Sequence, residues 1–156
     1  MGHKTRKASE VMEKKIKHLE MLQAIIQRMA GNSFMLKGWN VVLVSAIFAL
    51  AVDSSKARLV FLAYLPAFVF WLLDGYFLHQ ERLFRKLYDK VRETGEEAID
   101  FSMNTAPVTD QVSSWPRVMF SRTLILFHGA IVLTITLAWI LPVLGRFIAQ
   151  AGKPLG

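Results

Sequence analysis

Three apolar runs, each long enough to cross a lipid bilayer, constrain this chain more than any other feature. Residues 33–52 read SFMLKGWNVVLVSAIFALAV and contain one charge, Lys37. Residues 59–79 read LVFLAYLPAFVFWLLDGYFLH, with Asp74 as the one acid. The third run, from Thr123 to about Leu144, reads TLILFHGAIVLTITLAWILPVL and carries Pro142 near its far end. A hydrocarbon core about 30 Å thick needs roughly 20 helical residues, so each run has the length of a span. A soluble bundle would need a polar face on each of these helices, and they have almost none. With 53% hydrophobic and 20% charged residues, the expected fold class is an all-α membrane protein with three transmembrane helices.

Flanking charge predicts the orientation. Residues 1–30 hold seven Lys/Arg against three Glu, and residues 80–122 hold seven of each sign. Those fourteen basic residues fall on one side of the spans, against Lys56, Arg58, Arg146 and Lys153 on the other. Cytoplasmic flanks carry the excess of Lys/Arg, which places the N-terminus and the 80–122 loop in the cytoplasm and the C-terminus outside, as in a bacterial inner-membrane protein. An odd number of spans requires the same split. The first 33 residues are largely polar, so no secretory signal peptide is expected. The net charge of +7 follows from these flanks, and nucleic acid is not an expected partner. The expected organisation is a helix in 1–32, a hairpin in 33–79 with spans 33–52 and 59–79, a cytoplasmic helix and loop in 80–122, a third span in 123–149, and an external tail in 150–156.

The polar parts are also patterned. Met12, Ile16, Leu19, Leu22, Ile26 and Met29 recur at spacings of three and four, which predicts an amphipathic N-terminal cytoplasmic helix over 8–30. Its stripe must be covered by lipid headgroups or by other helices, and acids among the lysines favour helices. Span two is expected to continue into the cytoplasm, because no Gly or Pro interrupts the chain from Tyr76 to Thr94. Leu83, Phe84, Leu87, Tyr88 and Val91 form a second stripe there, an interaction surface for cytoplasmic helices. Residues 95–116 are polar and turn-rich and lead to Trp115-Pro116. Trp39, Trp71, Trp115 and Trp139 fall mainly near predicted span ends, where amphipathic rings concentrate.

Charges inside a span are rare, because centring one in lipid costs at least about 2.5 kcal/mol. Lys37 lies fifteen residues before Val52, and Asp74 fifteen after Leu59. Both are therefore about 22 Å from the outer boundary at the usual helical rise. A hairpin sets them side by side, so an ion pair is expected, within one chain or between subunits. Asn40 is one turn deeper than Lys37, and His128 falls in the same cytoplasmic third. Two readings are open. Either these residues are a structural ion pair with a snorkelling lysine, or Lys37, Asn40, Asp74 and His128 line a gate in an oligomeric pore.

Catalytic signals are poor. His3, His18, His79 and His128 show no metal-ligand spacing, and no phosphate loop or nucleophile elbow is present. The acidic group Glu96, Glu97 and Asp100 is expected to be solvated. Neither an enzyme nor a cofactor or metal is expected. Three spans without an inverted repeat are also too few to enclose a transported substrate. The small-residue face of span one, Ser45 and Ala49 with Ala46 beside them, permits close helix approach. Together with the cytoplasmic stripes, it predicts a homo-oligomer in membrane lipid, with room for a cytoplasmic protein partner.

The stretch 28–39, RMAGNSFMLKGW, followed by FWLLDGY at 70–76 and QERLFRKLY at 80–88, resembles small bacterial membrane proteins of the RipA-like oligomeric type. It is also similar to the SLATT-class membrane effectors encoded beside nucleotide-signalling or TIR-domain genes in anti-phage systems. The likeness covers roughly residues 15–135, and SLATT-like proteins have two spans where this chain has three. It implies an oligomeric inner-membrane effector or channel-like protein that perturbs the membrane on a cytoplasmic signal, in antiviral defence. The other function the residues allow is a non-conducting scaffold that anchors a soluble partner through 8–30 and 80–116.

Overall fold

A computed structural model describes residues 2–51, 54–95 and 98–151. Asp53, Lys153, Glu96 and Glu97 lie outside the described residues, as do the side chains of His3, Lys56 and Arg146. All described regular structure is helical: α1 (Gly2–Ala51), a 3-10 helix (Ser54–Ala63), α2 (Tyr64–Glu93), a 3-10 turn (Ala106–Gln111), α3 (Trp115–Met119) and α4 (Arg122–Ala151). Three segments are long and apolar enough to cross a membrane: Ser9–Ala51, Arg58–Glu93 and Arg122–Gly145. The protein has the form of a multi-pass membrane protein.

The polar N-terminal stretch and the first span form one helix, α1. No proline precedes Pro66, so nothing removes a ladder hydrogen bond. Gly31 and Gly38 each cost about 1 kcal/mol in a helix interior, too little to break 50 residues. The second span differs at its start from the expected helix over 59–79. Residues 54–63 are 3-10, and α-helix begins at Tyr64. Pro66 explains the change, because its ring crowds the carbonyl four residues back, at Leu62, and it lacks an N–H. In the first turn of α2 the missing donor is harmless. From there α2 runs unbroken to Glu93, and α4 continues through Pro142.

The chain divides into two compact units: Met1–Phe34 with Gly75–Val118, and Met35–Asp74 with Met119–Gly156. The first, the polar unit, is built around Leu22, Leu87, Val91 and Val108, flanked by Leu19, Phe84, Tyr88, Ile99 and Met103. Of the 83–91 stripe, Leu83, Leu87 and Val91 are buried, and Phe84 and Tyr88 are half-buried. Their cover comes from the same chain. The most buried line on this part of α1 includes His18 and Leu22, whereas Met12 and Ile16 remain exposed. The buried face is thus rotated from the apolar stripe, and a histidine occupies its centre. Lys15 Nζ donates to the Arg92 and Thr94 carbonyls at 3.1 and 2.8 Å, where the end of α2 presents unpaired acceptors and negative dipole charge.

The second unit holds the apolar spans. Its core is Val44, Val60, Ala63, Ala67 and Ile135, with Ile47, Phe48, Ala51, Tyr64 and Ile131 against it. Thr136 donates to the Val132 carbonyl at 2.8 Å, so the Tyr64 hydroxyl, 2.8 Å away, donates to Thr136 Oγ1. Most large apolar side chains of the spans face outward, among them Trp39, Leu43, Leu65, Phe68, Leu126 and Leu141. In water that surface would be untenable; in hydrocarbon it is solvated.

Candidate functional site: an intramembrane polar cluster

Within the membrane unit, three helices deliver polar side chains to one place. Lys37 and Asn40 stand three apart on α1 and so share a face. Asp74 comes from α2, and His128 from α4. Asp74 is fully buried, and its Oδ2 accepts from Lys37 Nζ at 2.6 Å and from His128 Nε2 at 2.9 Å. On the far side of the imidazole, Nδ1 lies 3.3 Å from Asn40 Nδ2.

The contacts fix the tautomer consistent with this network. A carboxylate only accepts, so His128 Nε2 carries the proton it donates to Asp74; Nδ1 is then free to accept from the Asn40 amide. The ammonium and carboxylate cancel, and the imidazole and amide are neutral. A cluster without net charge therefore sits in the apolar unit, which removes most of the penalty of an isolated ion there. Asn40 Oδ1 is buried with no partner among the described residues.

Aromatic rings enclose the cluster. Trp71 stacks on His128 with centroids 5.7 Å apart and planes 6° from parallel, while Phe127 meets the same ring edge-on at 5.1 Å. The Trp71 indole is anchored by its Nε1–H, which donates to the Met119 carbonyl at 2.9 Å. Lys37 Nζ also lies 5.9 Å from the Phe127 ring centre, at the outer limit of a cation–π contact. Lys37 keeps 26% side-chain exposure against 0% for Asp74. The lysine is the member of the cluster that reaches outward.

Chemically, the Asp74–His128 pair can hold a proton, and the Asn40 amide orients the imidazole. Among the described residues, no group of three or more His, Asp or Glu side chains is placed to hold a metal ion. All four predicted intramembrane polar residues meet in this single chain. Sequence depth matching pairs Lys37 with Asp74 and sets His128 at their level, but it has no means of ordering the hydrogen bonds. Trp71, which the sequence pattern groups with the span-end tryptophans, packs on the cluster. Its position three residues before Asp74 was the available signal, since that spacing shares a helix face. Tyr64 and Thr136 form a second polar contact that sequence reasoning missed. No protein-family model matches the chain, and neither a curated protein nor a solved structure is significantly similar to it.

Proposed function

We propose that this protein is a non-conducting inner-membrane scaffold, assembled as a homo-oligomer, that holds a soluble partner at the cytoplasmic face through residues 8–30 and 80–116. One observation carries the choice over a pore lined by the polar residues. Asp74, with no exposed surface, is satisfied by Lys37 and His128 of its own chain. A conducting layer needs groups that face water, whereas Asp74, Asn40 and His128 are buried, with Trp71 and Phe127 against the imidazole. In the scaffold, the cluster braces α1, α2 and α4 in the membrane unit, and the N-terminal helix and loop serve as the cytoplasmic platform.

The oligomeric effector gated by a cytoplasmic signal is the second reading. It draws support from apolar side chains that the polar unit leaves uncovered, with Met12 at 42%, Ile16 at 49% and Met21 at 52% exposure. A subunit or signalling partner seated there could pull on α1. The test is ion flux through vesicles containing the wild type or the double variant Lys37→Ala, Asp74→Ala. The scaffold predicts tight vesicles for both proteins and lower stability for the variant. Flux in the wild type that the folded variant abolishes would transfer the cluster to a conduction path. Orientation is tested separately with Glu10→Cys and Gln150→Cys. Because the chain has no cysteine, labelling by an impermeant thiol reagent reports each site alone, and the N-terminal site is expected to be protected in intact cells.

A further inference from the structure

The membrane unit contains a groove that its own core leaves empty. One wall is Val41, Val44, Ser45 and Phe48 of α1, and the other runs along α4 from Thr123 to Thr134. Its volume is about 700 Å³, within the roughly 300–1,000 Å³ range of small-molecule sites. The lining is apolar for most of its length. Its polar members are the hydroxyls of Ser45, Thr123 and Thr134, and Thr134, at the inner end, already donates to the Ala130 carbonyl at 2.8 Å.

Length and charge together select an occupant. From Thr123 to Thr134 the groove runs roughly 16 Å at the helical rise of about 1.5 Å per residue. One leaflet of hydrocarbon is about 15 Å deep, half of the core. A second copy's helix crossing the bilayer would need a complementary surface through both leaflets, and the groove serves one. Its outer end is cationic. Arg122, next to Thr123, is exposed and forms no ion pair with a described residue. It opens α4, whose first turn carries no acid, so the amide dipoles at that end add to its positive field.

We infer that the α1–α4 groove binds an anionic phospholipid, with one acyl chain along Val41–Phe48 and Thr123–Thr134 and the phosphate at Arg122. The site needs only the membrane placement of the spans and does not depend on the scaffold function. Native mass spectrometry of the detergent-purified protein, offered equal amounts of phosphatidylglycerol and phosphatidylcholine, tests it. The wild type should retain phosphatidylglycerol preferentially. Arg122→Gln should reduce that preference about fivefold, the equivalent of roughly 1 kcal/mol for one basic residue at an anionic surface. Arg122→Lys should keep it. Ala130→Phe, at an exposed lining position, fills the groove and should lower retention of both lipids with helicity unchanged. Equal retention of the two lipids by the wild type would overturn the site, as would a preference indifferent to Arg122→Gln. An Ala130→Phe protein that holds lipid normally but changes its subunit count would give the groove to a second copy instead.

Discussion

Lys37→Met and Asp74→Asn should destabilise the protein unequally, although they break the same ion pair. Lys37→Met removes the ion-pair partner of a carboxylate that has no exposed surface. Removing one member of a buried pair costs about 3–5 kcal/mol, because the remaining charge is uncompensated. Asp74→Asn strands the lysine instead. With 26% of its side chain already exposed, Lys37 can turn its ammonium toward the headgroups while its stem stays in apolar surroundings. The amide oxygen introduced by Asp74→Asn still accepts from His128, so the loss is close to one charged hydrogen bond, about 1.5–3 kcal/mol. The lysine variant should therefore be the weaker by about 1.5 kcal/mol, the difference between those two ranges. The double variant should cost less than the sum of the two, since neither stranded charge is present. Reversible SDS titration in mixed micelles, followed by tryptophan emission, measures all three; Trp71 on His128 places a reporter on the cluster. Equal costs, a larger cost for Asp74→Asn, or strict additivity would refute the asymmetric burial on which the argument rests.

Three further outcomes are expected. Lys15→Met removes the donor to the Arg92 and Thr94 carbonyls and should fray the end of α2, speeding amide exchange at 92–95 about fivefold, as for a local loss of about 1 kcal/mol. His18 is 1% exposed, with neither ring nitrogen partnered among the described residues and Phe101 edge-on at 5.8 Å. His18→Leu should thus be neutral or stabilise the polar unit by up to about 1 kcal/mol in thermal unfolding, and a marked loss would reveal a polar role. The hydrogen bond from Lys17 holds the exposed Glu13 carboxyl below its ordinary 4.5, and the same bond raises the Lys17 ammonium above 10.5. A depressed acid stabilises above its unfolded value and is lost as pH falls through the lowered one, while the raised base is lost as pH rises through its own. Amide exchange at 13–20 should rise in both limbs, and Glu13→Gln should abolish the acid one.

The sequence by itself determined the solvent. Hydrocarbon dictates helices about 20 residues long with little charge, so three spans are readable without coordinates, and equal depth from a shared linker is enough to match Lys37 with Asp74. The run from Tyr76 to Glu93 was legible for a similar reason, since nothing in it interrupts a helix. Periodicity was less decisive on the N-terminal part of α1. Hydrophobicity marks the line through Met12 and Ile16, whereas the packed line includes Lys15, His18 and Leu22. Lys15 belongs there because the carbonyls at the end of α2 need a donor, and that demand comes from residues about 80 positions away. The same applies to Trp71. Its ring satisfies the span-end pattern from sequence, yet the tertiary structure uses it to cover His128 and reach the Met119 carbonyl. Local pattern reports what each helix must hide from water; which polar atom completes which other is decided only when distant helices are brought within hydrogen-bond range.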